Sequence, residues 1–170
     1  MSNKFSFFQI VKDHINTLYI YRPNKEKTID VFSIFINLIL PFIISGLLIS
    51  FKIILNASDF FLVEVAFLIF TIILFISVFT IYKILENERE KDIDKQNNLK
   101  INLIKETFYN IQFAVLIAFI TMITLLLIVF ISNEYLNLLL SFVAYYFIFV
   151  FVFTFLIIMK RSHALILNEF

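Results

Sequence analysis

Four apolar stretches, each about twenty residues long, limit most strongly how this chain can fold; they cover 31–51, 60–82, 113–132 and 136–159. An α-helix rises about 1.5 Å per residue, so each stretch is long enough to cross a hydrocarbon layer ~30 Å thick. Hydrophobic residues make up 61% of the 170-residue chain, well above the share in soluble domains. We therefore predict an all-α integral membrane protein that forms a single membrane domain with four transmembrane helices.

The positively charged residues predict which side of the membrane each segment occupies. Of the 14 Lys and Arg residues, all but Lys52 lie in the N-terminal segment 1–30, the loop 83–111 or the tail 160–170. Positively charged loops stay on the cytoplasmic side. The frequent Phe, Ile, Lys and Asn residues are typical of an AT-rich bacterial genome. We expect a multi-pass protein of the bacterial inner (plasma) membrane, with both termini and the central loop in the cytoplasm.

The N-terminal segment 5–22 has the pattern of an amphipathic helix that ends before Pro23. Apolar side chains recur on one face at Phe5, Phe8, Val11, Ile15 and Leu18. Proline cannot donate a backbone hydrogen bond, and it disfavours helical backbone in the residue before it. We expect this helix to lie flat on the inner leaflet. The alternative is that its face binds a cytosolic partner.

Polar residues recur at four-residue steps in the first apolar stretch, at Ser33, Asn37, Pro41 and Ser45. Pro41 frees the carbonyl near position 37, so we expect a bend in the helix there. A polar group in hydrocarbon is costly unless it has a partner. The stripe should therefore face other helices, with a pore lining or a mobile kink as the alternatives.

Two further polar positions are predicted within the membrane. Glu64 is the only acidic residue inside an apolar stretch, and it either pairs with Lys52 or has a functional role. Tyr145 and Tyr146 lie deep in the fourth stretch, where their hydroxyl groups need acceptors such as Asn37 or Glu64.

The loop 83–111 is predicted to form a cytosolic helical hairpin with its turn at Gln96-Asn97-Asn98. Its first half is charged on every face, at Glu86, Glu88, Arg89, Glu90, Lys91 and Asp92. These residues form either a solvated surface or a surface that binds a partner. Acidic and basic residues balance along the loop, so nucleic acid is not an expected partner.

No sequence motif for a reaction is present. The chain has one glycine and no cysteine, which excludes glycine-rich phosphate loops and thiolate metal sites. His14 and His163 lie near opposite ends of the chain, without acidic residues at metal-ligand spacing, and are expected to be interfacial side chains. We predict no enzyme activity, no cofactor and no metal site.

The order of these parts resembles small four-span membrane proteins of bacterial antiphage defence loci, a group that includes Kiwa membrane subunits. The resemblance rests on the amphipathic N-terminal segment, the charged hairpin and two sequence segments. The first segment is Lys105-Glu106-Thr107-Phe108-Tyr109-Asn110-Ile111 at the entry to the third stretch. The second is Met159-Lys160-Arg161-Ser162-His163-Ala164-Leu165, with Glu169-Phe170 at the end. The resemblance covers the architecture of most of the chain and assigns no functional residue.

This resemblance implies a membrane sensor or effector that forms homo-oligomers and works with a cytosolic protein. Such a protein would act by a rearrangement of its helices that perturbs the inner membrane or signals to the partner. The competing interpretation is a passive scaffold or accessory subunit that tethers a cytosolic complex. A small transporter or channel is less supported, because a single interrupted helix provides little of the repeated machinery that transporters use.

Overall fold

The structure is a computed structural model that describes residues 7–21, 27–29, 31–55, 57–90, 95–131 and 133–167. In chain order its elements are helix α1 (Phe7–Thr17), strands β1 (Tyr19–Tyr21) and β2 (Lys27–Ile29), helix α2 (Val31–Ile34), a π-helical turn (Phe35–Ile39), and helices α3 (Leu40–Ser50), α4 (Ala57–Glu90), α5 (Lys95–Phe130) and α6 (Glu134–Leu167). Here α2, the π turn and α3 are together called the first span. The predicted helical architecture is confirmed, apart from the short β1–β2 hairpin.

Four helical segments are long and apolar enough to cross a membrane, as the sequence predicts: Val31–Ser50, Phe61–Asn87, Ile101–Phe130 and Glu134–Leu165. Helices α4, α5 and α6 contain 34, 36 and 34 residues. At about 1.5 Å per residue each is roughly 50 Å long, about 20 Å more than a hydrocarbon layer requires. Part of each long helix can therefore extend beyond such a layer.

Helix α5 is the centre of the fold. It packs against α4, α6 and α1, whereas the first span packs against α6. The rings of Phe67 and Phe151, with centroids 4.8 Å apart, also join α4 to α6. Within the described residues α3 and α4 do not pack together, although they are neighbours in the sequence.

Small residues allow α5 and α6 to approach closely. Ala114, Ala118 and Thr121 of α5 are completely buried. Ser141, Ala144 and Thr154 of α6 are completely buried as well. Small side chains favour close packing of membrane helices, where hydrophobic attraction between helices is weak. Ala114 and Ala118 are four positions apart, so both lie on one face of α5.

The first span is interrupted where its sequence contains Asn37 and Pro41. The π turn Phe35–Ile39 ends immediately before Leu40, whose N–H donates to the carbonyl of Phe35. Pro41 has no N–H with which to continue a regular α-helix, and π turns accommodate such interruptions. The π turn therefore lies at the position where a bend is predicted, and the bend itself stays a prediction.

The N-terminal region departs from the prediction. Helix α1 ends at Thr17, five residues before the expected end at residue 22. Tyr19–Tyr21 instead pairs antiparallel with Lys27–Ile29, with Ile20 opposite Thr28. Aromatic and β-branched residues favour strands, so this segment gains more from pairing than from continued helix. The expected helix stop, Pro23, lies outside the described residues.

The turn between α3 and α4 has the hydrogen bonds of a Schellman motif. The N–H of Ile53 donates to the Leu48 carbonyl over 3.0 Å, and the N–H of Lys52 donates to the Ile49 carbonyl over 2.9 Å. Lys52 has φ 59°, the left-handed conformation that this motif requires. The turn is held against α6, because the N–H of Leu55 donates to the Ser141 hydroxyl over 3.2 Å.

Helices α4 and α5 extend the second and third apolar stretches toward each other, as the hairpin prediction requires. The turn expected at Gln96-Asn97-Asn98 is wrong, because α4 ends at Glu90 and α5 begins at Lys95. Short polar side chains favour the first turn of a helix as well as loops, so composition does not distinguish the two. Leu85, Ile101 and Ile104 form a buried cluster here, with Ile81 and Leu165 packed on it.

Candidate functional site

The most densely connected polar group in the described structure joins three helices at one end of the molecule. It comprises His14 and Thr17 of α1, Glu106 and Asn110 of α5, and Arg161 of α6, and we call it the polar junction. The spacings 14/17 and 106/110 each place two side chains on one helix face. The junction therefore assembles from three segments that are distant in sequence.

His14 is held between a ring and an amide. Its imidazole stacks on Phe113, with ring centroids 3.7 Å apart and planes 4° apart. Its Nδ1–H donates to Asn110 Oδ1 over 2.8 Å, because a carboxamide oxygen can only accept. The residue is only 2% exposed. His14 is thus buried, which corrects its assignment as an interfacial side chain.

Burial lowers the pKa of His14 to about 4. The positive charge of Arg161 lowers this pKa further, and the hydrogen bond with Asn110 opposes the shift. His14 is therefore neutral at pH 7, as a histidine without a nearby unpaired carboxylate should be when water is excluded.

Asn110 is the acceptor that joins α1 to α5. Thr17 Oγ1 lies 2.8 Å from Asn110 Oδ1 and 2.7 Å from the His14 carbonyl oxygen. A hydroxyl group has one proton, so it donates to one of these acceptors at a time. Asn110 is completely buried, so its bonds to α1 form in a region from which water is excluded and are strengthened there.

Arg161 connects all three helices. Its Nη2 donates to the Thr17 carbonyl over 2.8 Å and lies 3.2 Å from Glu106 Oε2. The last carbonyls of a helix have no partner within the helix, and a positive charge near them is favourable. Arg161 therefore caps the end of α1 while it is itself held by the carboxylate of α5.

Three of the five side chains of the junction keep some hydrogen-bonding capacity. Within the described residues, His14 Nε2, Asn110 Nδ2 and Arg161 Nη1 are buried without a partner. Unsatisfied buried polar groups cost roughly 1–3 kcal/mol each. The junction therefore binds α1 firmly but not optimally, which is what a reversible contact requires.

Asn37, Pro41 and Ser45 of the predicted polar stripe are buried and Ser33 is partly buried, and the first span packs against α6. Asn37 Nδ2 donates to the Ser33 carbonyl over 2.7 Å, and the Ser45 hydroxyl donates to the Pro41 carbonyl over 2.7 Å. Within the described part of the chain, Asn37 Oδ1 has no partner. Because one chain already shields the stripe, it gives no separate reason for oligomerisation.

The other predicted membrane positions lie apart from the junction. Glu64 of α4 is partly buried and Lys52 is exposed; among the described residues these two form no ion pair. Tyr145 is partly buried and has an interaction partner. The hydroxyls of Thr71, Ser77 and Thr80 donate to carbonyls of their own helix.

The charged half of the hairpin is only partly described. Glu86 is exposed on α4, and Glu88, Arg89 and Glu90 form the end of that helix. Lys91 and Asp92 lie outside the described residues. The possible role of this surface in partner binding stays a prediction.

The polar junction itself was not predicted from the sequence. A usable signal is the spacing of Glu106, Asn110 and Phe113, which places an acid, an amide and a ring on one face of α5. What the sequence could not indicate is that α1 and Arg161 meet this face.

Comparison with protein-family models, with curated proteins and with solved structures finds no match for this chain.

Proposed function

We propose that this chain is a membrane-embedded sensor or effector subunit of a bacterial antiphage defence system. In this role it crosses the inner membrane four times, with both termini and the α4–α5 hairpin in the cytoplasm. A trigger rearranges its helices, and the rearrangement perturbs the membrane or signals to a cytosolic partner. The resemblance in architecture supports the defence assignment, and the four apolar helices support the membrane location.

The polar junction is the observation that carries the proposed mechanism. It joins α1 to α5 and α6 through directional polar bonds, beside the apolar contacts of Ile10 and Val11 with the core. A single hydrogen bond contributes only about 0.5–1.5 kcal/mol net, so these polar bonds can be broken and remade. The junction also lies where the N-terminal segment, the hairpin and the C-terminal tail meet. It is therefore suited to couple events at the membrane surface to a cytosolic protein.

The effector form requires several copies of the chain. Buried Ala114 and Ala118 of α5 belong to the apolar core cluster that includes Val150 and Phe151 of α6. A single chain packed in this way has no wide passage between these two helices. A pore would therefore form between copies, so homo-oligomerisation is part of this proposal.

Topology is tested with single cysteines, since the chain contains none of its own. Exposed Glu86 and Asn133 are each replaced by cysteine. A membrane-impermeant maleimide should label the Glu86→Cys variant only in inverted vesicles and the Asn133→Cys variant only in intact spheroplasts. The opposite labelling would overturn the proposed orientation.

Activity is tested by expressing the chain and recording membrane potential with a dye. The effector form should depolarise the cells, and Asn37→Leu or Glu64→Leu should abolish the effect at unchanged protein level. Thr80→Val is the matched control, because Thr80 is exposed on α4 and bonds only to its own helix. Depolarisation that persists in both variants would reject a role for these polar positions.

A passive scaffold is the second candidate, favoured by the apolar cluster of Leu85, Ile101 and Ile104 that supports the hairpin. A scaffold would tolerate Asn37→Leu and Glu64→Leu. It would instead lose its cytosolic partner when the charges over 86–92 are reversed, which co-purification would detect.

A further inference from the structure

Helix α1 has two faces of different character. Ile10 and Val11 pack on the core, and His14 and Thr17 are buried. On another side Phe8 and Ile15 are 86% and 37% exposed, and Lys12 is exposed. Exposed apolar side chains beside a lysine are typical of helices that bind a lipid surface. Helix α1 thus has one surface for the protein and another for the bilayer interface.

The protein-facing surface depends on an uncharged imidazole. His14 stacks flat on Phe113 and donates one bond to Asn110, while its Nε2 has no partner among the described residues. Protonation would place a second N–H, and a positive charge, in this buried position. The positive charge of Arg161 acts on this ring and repels an imidazolium.

We propose that α1 is a proton-sensitive latch, which protonation of His14 releases from α5 so that the N-terminal helix moves onto the membrane surface. Release uncovers the Asn110 and Phe113 face of α5 and separates Arg161 from the Thr17 carbonyl. This deepens the proposed function by naming its regulation. The trigger then would be acidification on the side of the membrane that carries α1, as follows when protons leak through a damaged bilayer.

Other charged groups near the junction do not remove the penalty on an imidazolium. Those on the elements that meet there are Lys12 and Asp13 of α1, Lys105, Glu106 and Tyr109 of α5, and Lys160 and Arg161 of α6. Glu106 is the carboxylate that belongs to the junction, and its Oε2 pairs with Arg161 Nη2 at 3.2 Å. Asp13 accepts a bond from Gln9 on the same helix.

The direction of the pH dependence follows from the two states of His14. In released α1 the imidazole is hydrated and has an ordinary pKa of about 6.5, whereas docking lowers this pKa to about 4. The released state therefore binds more protons between these values. The ratio of docked to released α1 should fall by up to tenfold per pH unit from pH 6.5 toward 4, and should be constant above pH 7.5.

The test uses the full chain, reconstituted in vesicles that contain phosphatidylglycerol. Spin labels are attached to the Lys12→Cys, Asn102→Cys double variant, because both positions are exposed and the native chain has no cysteine. Pulsed EPR should give one narrow distance at pH 7.5 and a second, longer and broader distance at pH 4.5. A single unchanged distance at both values would overturn the latch.

Two variants with no titratable group at position 14 complete the test. His14→Phe keeps a ring to stack on Phe113, and His14→Gln keeps a donor for Asn110. Docking in both should no longer weaken from pH 6.5 toward 4 as it does in the native chain, and any remaining pH response belongs to Glu106, which is partly buried beside Arg161. If both respond to pH as the native chain does, another group titrates and the proposal is wrong.

The latch and the proposed function can fail separately. In one outcome the EPR distance responds to pH in the native chain and not in the His14 variants, while membrane potential and partner binding stay unchanged. That result would establish the latch and reject the proposed function. Depolarisation that occurs while the labels stay at one distance would do the reverse.

Discussion

The guanidinium of Arg161 donates to the carbonyl of Thr17 across 144 positions of sequence, at a distance of 2.8 Å. A side chain of the last helix, α6, therefore caps the C-terminal end of the first helix, α1. Because Arg161 also pairs with Glu106, the end of α1, the entry of α5 and the end of α6 depend on one side chain. The stability of the three segments should therefore be coupled.

Replacing Arg161 by methionine should destabilise the chain by about 3 kcal/mol, because Glu106 is then left partly buried and unpaired. The Arg161→Met, Glu106→Met double variant should recover much of this loss, since neither charge remains. Denaturant unfolding in detergent measures both values. Lys160→Met is the control, because Lys160 is exposed, and it should change stability by less than ~0.5 kcal/mol. A loss of similar size in Arg161→Met and Lys160→Met would mean that the ion pair contributes little.

Asn110→Asp should reverse the pH dependence of α1 docking. A carboxylate accepts from His14 and Thr17 as the amide does, but it also stabilises an imidazolium and raises the pKa of His14. A raised pKa adds stability below about pH 6.5 that is lost as the pH rises through the docked value. NMR titration of the imidazole, with the EPR distance as the readout of docking, measures both effects. If α1 is released as the pH falls in both the native chain and the Asn110→Asp variant, the assigned role of Asn110 is wrong.

Lys52→Gly should stabilise the chain by about 1 kcal/mol. Lys52 has a positive φ that favours glycine, and a side chain in this conformation costs roughly that amount. A gain of 1 kcal/mol corresponds to about 3 °C in thermal midpoint for a chain of this length. Ser50 lies two residues before Lys52, at the end of helix α3. Ser50→Gly should therefore lower the thermal midpoint. Equal effects at both positions would argue against the Schellman geometry.

Pro41→Ala should convert the π turn at Phe35–Ile39 into regular α-helix. The new N–H can donate to the carbonyl one turn earlier, and alanine carries no ring that clashes with it. Hydrogen exchange over residues 36–45 should become slower than in the native chain. Exchange at the same rate would mean that a residue other than Pro41 maintains the interruption. The Asn37→Leu variant, which removes the 2.7 Å bond to the Ser33 carbonyl, measures the contribution of Asn37.

The parts of the fold that the sequence predicts are those governed by local pattern. Four apolar runs of membrane length become four helices, and Pro41 marks an interruption because proline lacks a donor wherever it lies. The end of α1 and the start of α5 could not be predicted in this way. The end of α1 depends on the pairing of Tyr19–Tyr21 with Lys27–Ile29 and on a cap from Arg161, both of which are contacts between residues outside the helix and α1 or its C-terminal continuation.

The polar junction shows why the candidate site was harder to predict than the fold. Among deep membrane positions, attention falls on Asn37 and Glu64 because polar residues are rare there. His14 and Arg161 lie in segments where polar residues are ordinary, so nothing in composition distinguishes a buried histidine from a solvated one. Only the approach of α1 to the Asn110 face of α5 makes His14 unusual.

The separation of α3 from α4 has a consequence for biosynthesis. The first span packs against α6, which begins at Glu134, so its helical neighbour leaves the ribosome only after a large part of the chain has been translated. At about 5–20 residues per second the delay is on the order of ten seconds. Until then the first span is without the helix against which it packs in the folded chain. Folding of the N-terminal span is consequently completed only after the C-terminal helix α6 has been synthesised.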